Sequence, residues 1–142
     1  MSGDLQWLLL RNNNSYIVKR VPEGPVFSKE PGNLTNIHSW KYSGLANEKT
    51  VAVKDTESGV QITYRKKGAS PQAVRPAYAT ISVRPRSGPR RAAGVAAKLA
   101  KRGYRPDLRT ATLARVSAVL ASKREKKAAA PKKARGKKAK TA

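Results

Sequence analysis

The sequence predicts an α+β fold: a small antiparallel sheet body with a short N-terminal helix, followed by two basic helices and a disordered basic tail. Three observations carry this. Apolar residues alternate with a period of two over residues 50–64, the pattern of half-buried strands joined as a hairpin. They recur instead at helical spacing over 92–99 and 108–120. Charge, finally, divides the chain: residues 1–60 hold seven Lys/Arg against six Asp/Glu, a net of +1, whereas 61–142 hold twenty-four against two, a net of +22.

In chain order, Ser2 suits an N-cap and Asp4 the first turn of a short helix in which Leu5, Leu8 and Leu9 share a face beside Trp7; a strand competes for residues 4–11. Asn12-Asn13-Asn14-Ser15 ends this element by turn chemistry. Residues 16–20 then read as a strand closed by Pro22, and 26–29 as a short extended piece. After a polar loop at 30–36, Trp40 and Tyr42 alternate ahead of Gly44 and read as strand. The clearest hairpin follows, with strands at 50–54 and 60–64 and a turn at 55–59.

Residues 68–90 contain Pro71, Pro76, Pro85 and Pro89 and are expected to be irregular apart from a last strand over 78–83. Pro89 suits the first turn of a helix that lines one face with Ala92, Val95, Ala96 and Leu99, tolerates Gly94 at a small cost, and stops at Gly103 as C′. The second helix opens at Pro106-Asp107 and carries an apolar stripe of Leu108, Thr112, Leu113, Val116, Val119 and Leu120. From residue 123 the chain is almost entirely Lys, Arg and Ala, too poor in apolar surface to offset the entropy of ordering. The expected organisation is a near-neutral α+β body at 1–83 with its sheet packed by the N-terminal element, a basic helical extension at 84–122, and a Lys/Ala-rich tail at 123–142 that is disordered when free.

The same composition excludes several functions. With no cysteine there is no disulfide framework, thiolate nucleophile or Cys-ligated zinc. Residues 1–10 lack a basic n-region, and no stretch approaches the roughly 20 apolar residues of a membrane span, so the expectation is a soluble intracellular protein. His38 stands alone in a polar loop and reads as an ordinary surface or hydrogen-bonded histidine; Glu23, Glu30 and Glu48 read as solvated. No phosphate-cradling glycine loop is present. The reading is a non-enzyme with no cofactor, no metal and no small-molecule substrate.

What remains is a polyanion partner. Arg65, Lys66, Lys67, Arg75, Arg84, Arg86, Arg90, Arg91, Lys98, Lys101, Arg102, Arg105, Arg109 and Arg115 are expected to meet nucleic-acid phosphates, joined by Lys123, Arg124, Lys126 and Lys127 from the tail. Trp7, Trp40, Tyr16, Tyr42 and Tyr64 lie in the neutral half and read as core or half-core. Tyr78 and Tyr104, set among arginines, are the candidates for stacking on bases. Leu108, Leu113, Val116 and Leu120 are expected to dock on a neighbouring protein.

Four stretches carry a further likeness: Leu5-Gln6-Trp7 leading to Arg11-Asn12; Tyr42-Ser43-Gly44-Leu45 followed by Lys49-Thr50-Val51; the basic Arg65-Lys66-Lys67; and Tyr104-Arg105-Pro106-Asp107-Leu108-Arg109, opening a helix that contains Ser117-Ala118-Val119-Leu120. In these the chain resembles the eukaryote-specific large-subunit ribosomal protein family numbered twenty-eight, which is distinct from the bacterial family of that number. The likeness spans roughly residues 2–122, and the final twenty residues match only in being basic. It implies a structural component of the cytosolic large subunit, bound to ribosomal RNA and neighbouring ribosomal proteins, assembled first in the nucleolus, and not an enzyme. Two other readings compete: a ribosome-biogenesis factor sharing the N-terminal body, and a chromatin protein whose tail resembles that of a linker histone.

Overall fold

Val51 and Val53, Val60 and Ile62, and Val83 fall on one face of a three-stranded antiparallel sheet because their strands pair in the register that alternation demands. The computed structural model describes residues 2–57, 59–70 and 72–124; the tail reading beyond Arg124, with Lys126 and Lys127, lies outside them. Strands β3 (Val51–Thr56), β4 (Gly59–Arg65) and β5 (Tyr78–Val83) lie in that order, with Val53 opposite Ile62 and Ile62 opposite Ile81. Upstream, α1 (Gly3–Leu10) precedes a two-stranded ribbon of β1 (Ile17–Val18) and β2 (Phe27–Ser28) and a 3₁₀ turn at Trp40–Tyr42. Downstream come α2 (Pro89–Lys101), a second 3₁₀ turn at Pro106–Leu108 and α3 (Arg109–Ser122).

The α+β class stands, but the sheet is covered by different elements from those expected. α3 lies across β3 and β4 and packs along α2. Ala92, Ala96 and Leu99 of α2, with Leu108 and Val116, join the four sheet valines and Ile62 in one buried cluster. Two alanines on the inward face let α2 come close to its neighbours, and a period of 3.6 keeps its basic residues outward. The N-terminal helix contributes no buried residue, and its Leu5, Leu8 and Leu9 are exposed. It is held instead by Trp7, whose ring lies 4.9 Å from that of His38, while His38 Nε2 donates to the Arg11 carbonyl (2.8 Å).

Three local expectations are corrected. Residues 40–42 form a 3₁₀ turn and not a strand, because Ser43, the residue after Tyr42, is drawn inward: its hydroxyl donates to Glu30 Oε2 (3.0 Å) and accepts from the Ala46 amide. Glu30 is accordingly buried and not solvated; Asn33 Nδ2 also reaches its Oε1 (3.3 Å) and bonds the Ile37 carbonyl (2.8 Å). This carboxylate organises the loop through neutral donors, which is how a buried acceptor avoids the cost of lost hydration. The hairpin turn is also tighter than residues 55–59, since Asp55 and Thr56 stay in the ladder and Thr56 pairs with Gly59. Gly59 permits this with φ +123°; a Cβ there would sit 2.0 Å from the Val83 carbonyl oxygen.

The stripe on α3 therefore faces its own sheet. Val116→Asp and Leu108→Asp are expected to cost about 3 kcal/mol or more in urea unfolding, whereas Leu8→Asp on exposed α1 stays within about 0.5 kcal/mol of wild type. Equal tolerance of all three would remove α3 from the core.

Candidate nucleic-acid interface

The turn between α2 and α3 sets the geometry of the basic face. α2 ends in a Schellman arrangement: Gly103 takes φ +73°, its amide bonds the Ala100 carbonyl, and the Tyr104 amide bonds that of Leu99. Tyr104 is thereby turned into the core, 4% exposed, edge-on to Tyr64 with ring centroids 5.7 Å apart. Its hydroxyl donates to the Arg65 carbonyl (2.6 Å), with that of Thr50 at 3.3 Å, and burial pushes its pKa up, keeping the proton in place. Arg105 then adopts a left-handed conformation, φ 48°. Its guanidinium spans three groups: Nη1 to the Lys49 carbonyl (2.9 Å), Nη2 to the Lys41 carbonyl (2.8 Å), and Nε and Nη2 to the Asp107 carboxylate (3.0 and 2.8 Å).

Tyr104 and Arg105 thus tie the helical half to the sheet, in place of the outward-facing roles expected of them. A ring at 4% exposure offers no face to a base, and the Arg105 fork is filled. Lys123 is likewise engaged, paired with Asp55 (2.6 Å) and donating to the Thr56 and Gly59 carbonyls at the hairpin. Leu108 and Val116 are core, and Leu113 and Leu120 are partly buried against it, so the stripe packs within the chain. Those arrangements depend on where the chain turns at 103–105, which helical periodicity alone does not encode.

The remaining cations are turned outward. Lys66, Lys67, Arg75, Arg84, Arg86, Arg90, Arg91, Lys98, Lys101, Arg102, Arg109 and Arg124 are exposed; Arg65 and Arg115 are half-buried, and Arg65 donates to the Ser70 carbonyl (3.1 Å). Among the described residues only Arg105 and Lys123 form ion pairs. Three concavities collect several of the remaining cations. One, of about 540 Å³ between β5 and α2, is lined by Arg84, Arg91, Ser82 and Ser87 over an apolar floor. Another, of about 770 Å³, lies between α2 and the start of α3. The third, of about 680 Å³, brings Arg65, Lys66 and Lys67 together with Lys49, Asn47 and Gln6 from near the N-terminal half. Lys49 was not among the expected phosphate contacts, since no basic neighbour in sequence separates it from any other surface lysine. Tyr78 is 41% exposed on β5, an edge strand of the sheet, opposite Arg65 in register. Among the described residues no group of acidic or histidine side chains is placed to hold a metal.

Residues 5–122, ending with the last residue of α3, match the Ribosomal L28e protein family. The chain belongs to that family. Large ribosomal subunit protein eL28 of Schizosaccharomyces pombe is 32% identical over 132 residues, covering 92% of this chain and 98% of the relative. The protein of the same name in Dictyostelium discoideum is 34% identical over 137 residues, 95% and 98% of the two chains. That of Caenorhabditis elegans is 37% identical over 94 residues, 66% and 73%.

Two predictions concern the turn. Arg105→Ala keeps the left-handed backbone and loses every guanidinium contact, so it is expected to destabilise by about 2–3 kcal/mol; Arg105→Gly, free of the backbone strain, recovers about 1 kcal/mol of that in denaturant melts. Hydrogen bonds from Arg105 hold Asp107 below the usual carboxylate range, against a smaller opposing effect of burial. The stabilisation is therefore present above the unfolded value near 4 and lost as pH falls through the lower folded value. With the Asp107 side chain 40% exposed, solvent screening limits the effect: Asp107→Asn is expected to cost about 0.5–1 kcal/mol near neutrality, a difference that closes below about pH 4.

Proposed function

We infer that the chain is a structural constituent of the large subunit of the eukaryotic cytosolic ribosome, where it binds and braces folded ribosomal RNA. The observation that carries this is the face of unpaired arginines and lysines around α2 and the 65–91 segment, on a chain whose family relatives are named as large-subunit proteins. The chemistry is phosphate neutralisation and fitting to shape, not turnover. Arginines in the segment after β5 and on α2 and α3 offer forked donors at defined positions, while Lys66 and Lys67 act as point charges. Folded RNA presents irregular grooves of phosphate and 2′-hydroxyl, so cations spread over three concavities bridge separate backbone segments. Tyr78 stacks on an unpaired base beside this face. Neighbouring ribosomal proteins meet the near-neutral half, and assembly begins in the nucleolus.

Fractionation of cells carrying a tagged chain tests the role: the protein is expected to sediment with large subunits and translating ribosomes. Confinement to nuclear precursor particles would instead indicate an assembly factor. In solution, about six to ten phosphate contacts lower affinity for ribosomal RNA fragments by roughly 10³ to 10⁵ between 50 and 200 mM salt, and a flat titration would count against the phosphate scheme.

A further inference from the structure

The concavity between α2 and α3 is built differently from the other two. Its walls are Lys98, Lys101, Arg102 and Arg109, its floor is Gly94 and Ala97, and its lining contains no carboxylate, amide, hydroxyl or aromatic group. Four cations therefore converge on a surface with no carboxylate to neutralise them. Gly94, Lys98 and Lys101 follow one another at i, i+4 and i+7 on the side of α2 away from the buried Ala92, Ala96 and Leu99.

Gly94 is the telling residue. A glycine inside a helix costs about 1 kcal/mol relative to alanine. The other glycines with open space around them have a conformational role: Gly68 and Gly103 have positive φ, and Gly88 is the N-cap of α2. Gly94 is helical, and a Cβ built on it meets nothing within 4 Å. No contact inside the described chain requires its missing side chain, so the room it leaves lies toward the outside.

Charge supports an external occupant. Lys98, Lys101 and Arg102 at the C-terminal end of α2 are favoured by the helix dipole, which by itself would account for them. Arg109 is not so explained. It opens α3, where the dipole disfavours a cation, and α3 has no acidic residue in its first turn. The nearest carboxylate in sequence, Asp107, is already bound by Arg105. A net charge of four with no anion in the lining is self-repelling until an anion enters.

We propose that this groove seats the sugar-phosphate backbone of a single RNA strand, with the strand passing over Gly94 and Ala97 and successive phosphates met by Lys98, Lys101 and Arg102 at the end of α2 and by Arg109 at the start of α3. The proposal rests on the ribosomal RNA reading above and adds the place and mode of contact. Lys98 and Arg102 are one helical turn apart, about 5–6 Å along the axis, a scale on which neighbouring phosphates of one strand repeat. A backbone is the occupant because four cations with no aromatic ring beside them match a row of phosphates, which carries one negative charge per nucleotide.

Gly94→Leu tests the groove without altering charge. It fills the floor and raises helix propensity, so the fold is retained or strengthened, as a melt will verify. Ala118→Leu adds bulk at an exposed position of α3 outside the groove and serves as the control. Binding of the full-length chain to a short uridine oligonucleotide is followed across a salt series. The expected result is roughly 10-fold weaker binding for Gly94→Leu, with the log–log salt slope reduced by about 1.4, the loss of two single-strand phosphates, and no change for Ala118→Leu. Wild-type binding and slope in Gly94→Leu overturn the groove while leaving the ribosomal role intact, provided the chain still sediments with large subunits. No oligonucleotide binding by wild type at low salt overturns both. A photoreactive benzophenone residue placed at Gly94 and irradiated in assembled large subunits is expected to crosslink to RNA; crosslinking to protein alone assigns the groove to an acidic protein segment and overturns the proposal.

Discussion

The geometry of the molecule depends on how Tyr104 and Arg105 fasten the turn between α2 and α3 to the sheet. One ring enters the core and donates to a β4 carbonyl, and the next guanidinium closes on Lys41, Lys49 and Asp107. A backbone in the left-handed region costs about 1–3 kcal/mol for a residue with a side chain, and it persists here because five donor contacts lie in that one position. Fixing the turn fixes the angle between the helices. It thereby brings Arg109 opposite Lys98, Lys101 and Arg102.

A chain with a large positive excess has to fold against its own repulsion, and the arrangement of layers shows how that is managed. α2 and α3 turn alanines, Leu99, Leu108 and Val116 toward β3–β5 and keep their cations on the opposite surface, where water screens them. Carboxylates are used sparingly. Asp107 and Asp55 each hold one cation at a structural joint, the helical turn and the hairpin, and Glu30 is spent on neutral donors inside a loop. The outward arginines are thus left without internal competitors for phosphate.

Much of the secondary structure was legible because it follows from short-range rules. The Val/Ile alternation of the hairpin, Pro89 at the start of α2 and Gly103 after its end all appear where periodicity and capping chemistry put them. The errors share a cause as well. Trp40 and Tyr42 alternate like a strand, yet a buried acceptor thirteen residues before Ser43 pulls the segment into a 3₁₀ turn. Leu5, Leu8 and Leu9 look like a packing face, yet the sheet they were expected to cover is already occupied by α3. In each case a distant partner decided the outcome.

The candidate site divides in the same way. Sequence by itself determined that the charge is lopsided, that the cations lie past residue 60 and that the elements bearing them are a sheet edge and two helices, because composition and period are properties of neighbours along the chain. Tertiary structure alone decided which cations are free. Arg105 and Lys123 are as basic as Arg102 and Arg124, and only the approach of the Lys41 and Lys49 carbonyls to Arg105, and of Asp55 to Lys123, fills their donors. A charge is available to a partner when the fold leaves its donors unfilled, and that depends on contacts between residues more than fifty positions apart.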